Sequence, residues 1–164
     1  TSKNKNLARF ESIQNNFSLL NPRFLDELST VCKKENISLL PYSPIGGGVL
    51  SGKYNNAFYP EDARFSAYMK HENPRVQAQA TRFVNDKTIA ATIKYLELAR
   101  EYGISPVTLA VAYSKHFDFV ASTIIGARTS EQLDESLKAF NFAIDNELLS
   151  KIELIQKEIL YPMG

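Results

Sequence analysis

The chain has 164 residues, 44% of them apolar and 23% charged, enough for one domain with its own core and ordinary for a globular protein. A formal net charge of +1 gives no electrostatic footprint for nucleic acid or for a membrane surface. No apolar run approaches the ~18 residues of a spanning helix.

The polar start, Thr1–Asn6, lacks the apolar core of a signal peptide, and without an initiator methionine the chain reads as a fragment. Phe10–Asn15 reads as a short strand. Asn21-Pro22 then reads as an N-cap and first helical position, with Leu25, Leu28 and Cys32 following at helical spacing. Cys32 is the single cysteine. It excludes an internal disulfide and fits a reducing, cytoplasmic compartment. On the apolar face of that helix it reads as a small core residue rather than a nucleophile. Ile37–Tyr42 is a buried-type strand that Pro41 should end or bulge, because proline has no N–H for a ladder. Residues 43–83, rich in Gly, Tyr, Asn and Pro, read as one long functional or mobile loop.

Ile89, Ile93, Leu96 and Ala99 mark the next helix, stopped by Gly103. Ser105-Pro106 starts another that runs to about His116. Phe119–Ile125 is a β-branched strand. Thr129 and Gln132 have the spacing of a capping box for a helix expected to bury Leu133, Leu137 and Phe140. Leu148, Ile152, Ile155 and Ile159 line the last helix. Strands alternating with helices indicate parallel βαβ units in an α/β fold. Three strands leave two open sheet edges, so the unit reads as incomplete.

Two segments carry candidate chemistry. In Ile124–Gln132 a strand ends, Gly126 lets the backbone turn, and a helix starts at once. Helix N-terminal amides favour an anion, and Arg128 adds a fork that fits phosphate. On physical grounds alone this segment reads equally as an anion site or as an ordinary αβ turn with a solvated arginine. In Tyr42–Tyr54 a strand opens into three consecutive glycines, which permit close backbone approach to a ligand. Ser43, Ser51 and Lys53 are possible donors to a diphosphate, and Tyr42 is a possible stacking platform. A flexible loop with a structural tyrosine is the bland alternative. His71, in the long loop, and His116, at a helix end, read as surface or structural residues.

Taken together, these motifs resemble the aldo-keto reductases, in their Tas-like and potassium-channel β-subunit-like branch. Ser12–Leu20 is similar to the sixth-strand motif, Tyr42–Tyr54 to the seventh and Phe119–Ala127 to the eighth. Arg128–Ser136 is similar to the adenosine-phosphate segment, and Tyr161-Pro162 echoes the Tas-like branch. The resemblance implies that residues 1–164 are the C-terminal portion of a single (β/α)8 TIM barrel, about strands 6 to 8 with their helices. The complete protein would use NADPH to reduce a small-molecule carbonyl substrate. Gln14 would bond the nicotinamide carboxamide and Tyr42 would stack on its ring. Ser43, Ile45, Gly47 and Lys53 would line the diphosphate. Gly126, Arg128, Gln132 and Glu135 would hold the adenosine end, with Arg128 near the 2′-phosphate. Asp62 and Arg64 lie in the loop that closes over the cofactor in the family, and Arg64 is a further candidate phosphate contact. Ser136 stands where the family usually has Asn, a shorter reach toward the adenine.

The resemblance also implies an absence. The family's catalytic Asp, Tyr, Lys and His lie on earlier strands, and this chain begins just before the sixth. No catalytic residue is therefore expected here, no metal site is expected, and the fragment is expected to be inactive alone. A non-catalytic NADP(H)-binding regulatory module, like the channel β-subunits, is the second reading. A folding fragment without activity is the third. The substrate pocket would draw on missing loops and on a variable stretch near residues 55–83. The exposed sheet edges lead to an expectation of self-association or of a bound N-terminal segment.

Overall fold

The computed structural model describes residues 2–55 and 59–163. Thr1 of the polar start and residues 56–58 of the variable stretch lie outside the described residues. A short turn of helix, α1 (Ser2–Lys5), precedes two strands, β1 (Ser12–Asn16) and β2 (Ser38–Tyr42). The strands pair in parallel, in register from Ser12↔Ser38 to Asn16↔Tyr42, as the alternating pattern required. Phe10 is 83% exposed and stands outside the ladder.

Helix α2 (Leu28–Glu35) crosses between them. It starts well after the expected cap at Asn21-Pro22, and the Asn21 side chain turns back to the end of β1 instead. Its Nδ2 donates to the Asn16 carbonyl at 3.3 Å and to Asn16 Oδ1 at 3.1 Å, and the chain makes only a 3-10 turn at Arg23–Leu25. Cys32 is buried as read, at 4% exposure, and burial pushes its thiol pKa up, which keeps it inert.

Pro41 acts on its neighbour rather than on its own strand. Leu39 N donates to Phe119 O at 2.7 Å and Leu39 O accepts from Ala121 N at 3.0 Å, a regular parallel ladder. The next bond in that ladder would need an N–H on Pro41. Instead Ile124 N reaches Pro41 O at 2.8 Å, one residue beyond the regular register. The expected strand Phe119–Ile125 is thus reduced to a single parallel bridge, Leu39↔Val120, and the sheet has two strands among the described residues.

The segment read as one long loop holds a 3-10 turn at Gly46–Ser51 and two helices, α3 (Arg64–Met69) and α4 (Pro74–Phe83). Asn73 caps α4 through a bond from Arg75 N at 2.9 Å, with Pro74 at the first helical position. Buried Phe65 and Phe83 stack at 4.9 Å and fasten these helices to the core.

Helix α5 (Asp86–Glu101) follows, stopped as read by Gly103 at φ +63°. Its buried face runs through Thr88, Ala91, Thr92, Tyr95, Leu98 and Ala99. Ile93, expected inside, is 43% exposed. Tyr95 sets this rotation: it is buried and its hydroxyl donates to Leu19 O at 3.2 Å. Ser105 caps α6 (Pro106–Lys115) by accepting from Val107 N and Thr108 N, and the helix is buried from Val107 to Ser114.

Helix α7 (Ser130–Leu137) departs most from the reading. Leu133, Leu137 and Phe140 are 40%, 51% and 82% exposed, while Ser136 and Ala139 are buried. Thr108 Oγ1 donates to Glu135 O at 3.0 Å. That tie brings α7 close to α6, so small side chains fill the contact and the large ones face outward. Helix α8 (Asn146–Glu158), capped by Asp145, buries Leu148 and Ile152 as expected.

Candidate functional site

Tyr42 closes β2 and is half-buried. Ser43 follows at φ +54°, a conformation that costs a non-glycine residue of order 1–3 kcal/mol and tends to mark functional sites. The three glycines then all have positive φ. A Cβ on Gly47 would stand 2.6 Å from the Phe65 ring, and one on Gly48 would stand 2.6 Å from Lys53 Cε. Both positions require glycine for backbone conformation, and Gly47 also for space, because the Phe65 ring is packed whereas the end of the Lys53 side chain can move aside. Ser51, read as a donor to a diphosphate, is committed inside the turn: its hydroxyl donates to Gly48 O at 2.7 Å.

Lys53 folds back over Gly48, with its ammonium 5.4 Å from the Tyr54 ring centroid. Burial, foremost, pushes its pKa below the usual lysine range; Asp62 opposes the shift, and Arg128 and Arg64 add to it. Several cations with one carboxylate among them make a position where an anion is favoured.

The second segment is built differently from its sequence reading. Gly126 has no positive φ, and a Cβ there would meet nothing within 4 Å; neither backbone conformation nor space requires glycine at this turn. Half of the expected capping box forms. Thr129 Oγ1 accepts from Gln132 N at 3.4 Å. The Gln132 side chain turns instead to Arg128, accepting from its backbone N–H at 3.0 Å. Glu131 already serves as an anion at this helix end: a bond from its own backbone N–H, with others from Thr129 and Ser130, pulls its pKa down. Ser136 lines the cleft, with its hydroxyl donating back to Gln132 O at 3.1 Å.

The fold brings both segments to one cleft of about 550 Å³. Tyr42, Ser43, Ile45, Gly47 and Lys53 form one wall. Gly126, Arg128 and Gln132 line the cleft from the second segment, together with Asp62 and Arg64. The Arg128 guanidinium donates to the Asp62 backbone carbonyl and lies 3.5 Å from its carboxylate. These side chains are 68% and 80% exposed, so the pair is a weak clasp. Nothing in the sequence signals it, since 66 positions separate the partners.

Two expected residues are not brought to this cleft. Gln14 stands exposed on β1, paired in register with Leu40. Glu135 is half-buried on α7, outside the lining. Both histidines are remote from it: His71 Nδ1 accepts from Asn73 N at 3.0 Å, and His116 packs edge-on to Phe117.

The sequence model of the Aldo/keto reductase family matches residues 2–157. The chain is 34% identical over 156 residues to "Protein tas" of Escherichia coli (strain K12), covering 95% of this chain and 42% of that protein. It is 28% identical over 130 residues to the L-glyceraldehyde 3-phosphate reductase of the same strain, covering 78% and 36%. It is 32% identical over 121 residues to a probable voltage-gated potassium channel subunit beta of Arabidopsis thaliana, covering 73% and 35%. The chain thus spans less than half the length of these curated relatives. A solved glycerol dehydrogenase from Gluconobacter oxydans superposes with a TM-score of 0.70 at 22% identity, covering 96% of this chain and 45% of that one, a likeness of fold.

Proposed function

The chain belongs to the aldo/keto reductase family, and from that premise we propose that it is the C-terminal, cofactor-holding portion of a (β/α)8 barrel that reduces aldehydes or ketones with NADPH. One observation carries the reading. Two segments more than 70 residues apart meet across a single cleft whose titratable lining holds Lys53, Arg64 and Arg128 against one carboxylate, Asp62. Such a cleft suits a long, multiply charged anion.

The donor set fits a dinucleotide with an extra phosphate. Tyr42 offers a half-buried ring at the C-terminal end of β2, where ligands bind in parallel α/β folds. The glycine turn lets the Ser43–Lys53 backbone approach a diphosphate, and Lys53 offers charge to it. Arg128, released from Asp62, would pair with a 2′-phosphate. Gln14 and Glu135, outside the cleft in this chain, would complete the nicotinamide and adenosine ends in the whole barrel. When bound, the cofactor would supply hydride to the carbonyl carbon; the proton donor would come from outside these residues. The remaining barrel strands would be supplied by an N-terminal segment or, in its absence, replaced by self-association.

A second reading, a non-catalytic NADP(H)-binding module, is supported by the 32% identity to a potassium channel subunit beta. An Asp, Tyr, Lys and His set in the rest of the protein would decide for the enzyme.

Arg128→Ala tests the cofactor reading. Charge-assisted hydrogen bonds are worth roughly 1.5–3 kcal/mol, about a 10- to 100-fold change in affinity. NADPH binding, followed by quenching of tyrosine fluorescence, is expected to weaken by about that factor, while NADH, which has no 2′-phosphate, is unchanged. Equal losses for both cofactors would remove Arg128 as the 2′-phosphate reader.

A further inference from the structure

A second cleft, of about 210 Å³, lies at the C-terminal end of β1, between the β1–α2 turn and α4. Its polar lining comes from asparagines and two arginines, Arg23 and Arg82, with no acidic side chain. The amide orientations follow from the hydrogen bonds. Asn21 Nδ2 donates to the Asn16 backbone carbonyl, which can only accept, and shares that donor with the Asn16 side chain at 3.1 Å. The shared atom must therefore be Asn16 Oδ1. The Asn16 NH2 is left with no acceptor among the described residues, on a residue that is 4% exposed and lines the cleft. Asn15 is similar: its Oδ1 accepts from Asn16 N at 2.7 Å, which leaves its NH2 free as well. Both amides line the cleft and can donate to an incoming acceptor.

The arginines add charge that nothing offsets. Among the described residues neither has a carboxylate within ion-pair distance. Asp26, on the same turn as Arg23, accepts from the Tyr161 hydroxyl at 2.9 Å, while the Arg23 guanidinium lies 4.5 Å from the centroid of the Tyr161 ring. Arg82 is exposed at the end of α4.

We propose that this cleft binds the phosphate of a small phosphomonoester. Two guanidinium forks match the oxygens of a dianion better than those of a monoanion. The carboxamide donors complete its shell, and Phe24 and Leu28 offer an apolar wall to the attached carbon chain. The cleft has less than half the volume of the one between Tyr42 and Arg128, too small for a dinucleotide. The site goes beyond the cofactor reading and does not rest on it.

The test is a ¹⁵N NMR titration of the full chain with inorganic phosphate, at fixed pH and with chloride holding ionic strength constant. The Asn15 and Asn16 side-chain amides are expected to shift and saturate. In Arg82→Gln, a change at an exposed residue, the same shifts are expected to need about tenfold more phosphate or more. Acetate, with one charge, is expected to bind more weakly. The Arg128 backbone amide reports the larger cleft in the same spectra, so the two sites are read apart. Shifts that never saturate, or that survive Arg82→Gln unchanged, would overturn the site. Acetate binding as tightly as phosphate would overturn the phosphate assignment.

Discussion

At the scale of single residues, glycine positions separate into two kinds that sequence alone does not distinguish. Gly47 combines φ +62° with a ring 2.6 Å from where a Cβ would sit. Gly47→Ala is expected to cost about 1–3 kcal/mol from the backbone alone, with Phe65 displaced in addition. Thermal unfolding followed by circular dichroism should show a drop of several degrees. Gly126→Ala, with open space and no positive φ, is the matched control and should melt like the parent; equal losses at both would show that the turn geometry is not what demands glycine. Arg128 was legible as a candidate from its place after Gly126-Ala127. Its clasp to Asp62 was not, because a contact across 66 positions leaves no local pattern.

At the scale of elements, caps were read well where a side chain had no competing partner. Ser105 and Thr129 both accept from the first turn of their helices, and Asp145, which the sequence reading did not single out, does so for α8. Asn21 does not cap: its side chain donates to Asn16 at the end of β1, and the turn that follows starts from Pro22. The best-built cap is Asn85 on α5, which exchanges bonds with Thr88 in both directions, at 3.0 and 3.1 Å. Asn85→Ala is expected to lower stability by about 0.5–2 kcal/mol, measured as a shift in the urea midpoint; an unchanged midpoint would mean that α5 is held by its buried face alone. Helix faces were read less well. The leucines of α7 have helical spacing, but spacing tells only that residues share a face, not which face is covered. The tie from Thr108 to Glu135 decides that by turning small residues toward α6.

At the scale of the whole molecule, exposed apolar residues dominate. Leu133, Leu137 and Phe140 form an outward face on and after α7, and Leu7 and Phe10 stand exposed before β1. Burial is worth about 25 cal/mol per Å² of apolar surface, so covering these faces is favourable. Multi-angle light scattering is expected to show self-association of the isolated chain, or a co-purifying N-terminal segment; a compact monomer with no bound peptide would contradict it. The isolated chain is further expected to show no NADPH oxidation with 4-nitrobenzaldehyde. Besides Tyr42, the acid–base groups that line the cleft among the described residues are Lys53 and Asp62, and general acid help is typically worth 10²–10⁴-fold. Turnover that Tyr42→Phe abolishes would place the proton donor at Tyr42 itself.

The sequence by itself determined the parallel pairing of β1 with β2, the cap of α6, the burial of Cys32, and the family, because each rests on residues close in the chain or on motifs of fixed spacing. The tertiary structure alone decided that Tyr42–Lys53 and Gly126–Gln132 share a cleft, and that Asp62 clasps Arg128. It also decided that Pro41 breaks the neighbouring strand rather than its own, and that residues 59–83 are largely helical. The physical reason is common to all four. Each outcome depends on which distant groups meet: a missing N–H matters only once Ala121 and Ile124 lie alongside it, and short helices such as α3 and α4 gain their stability from packing onto Phe65 and Phe83 rather than from their own propensity.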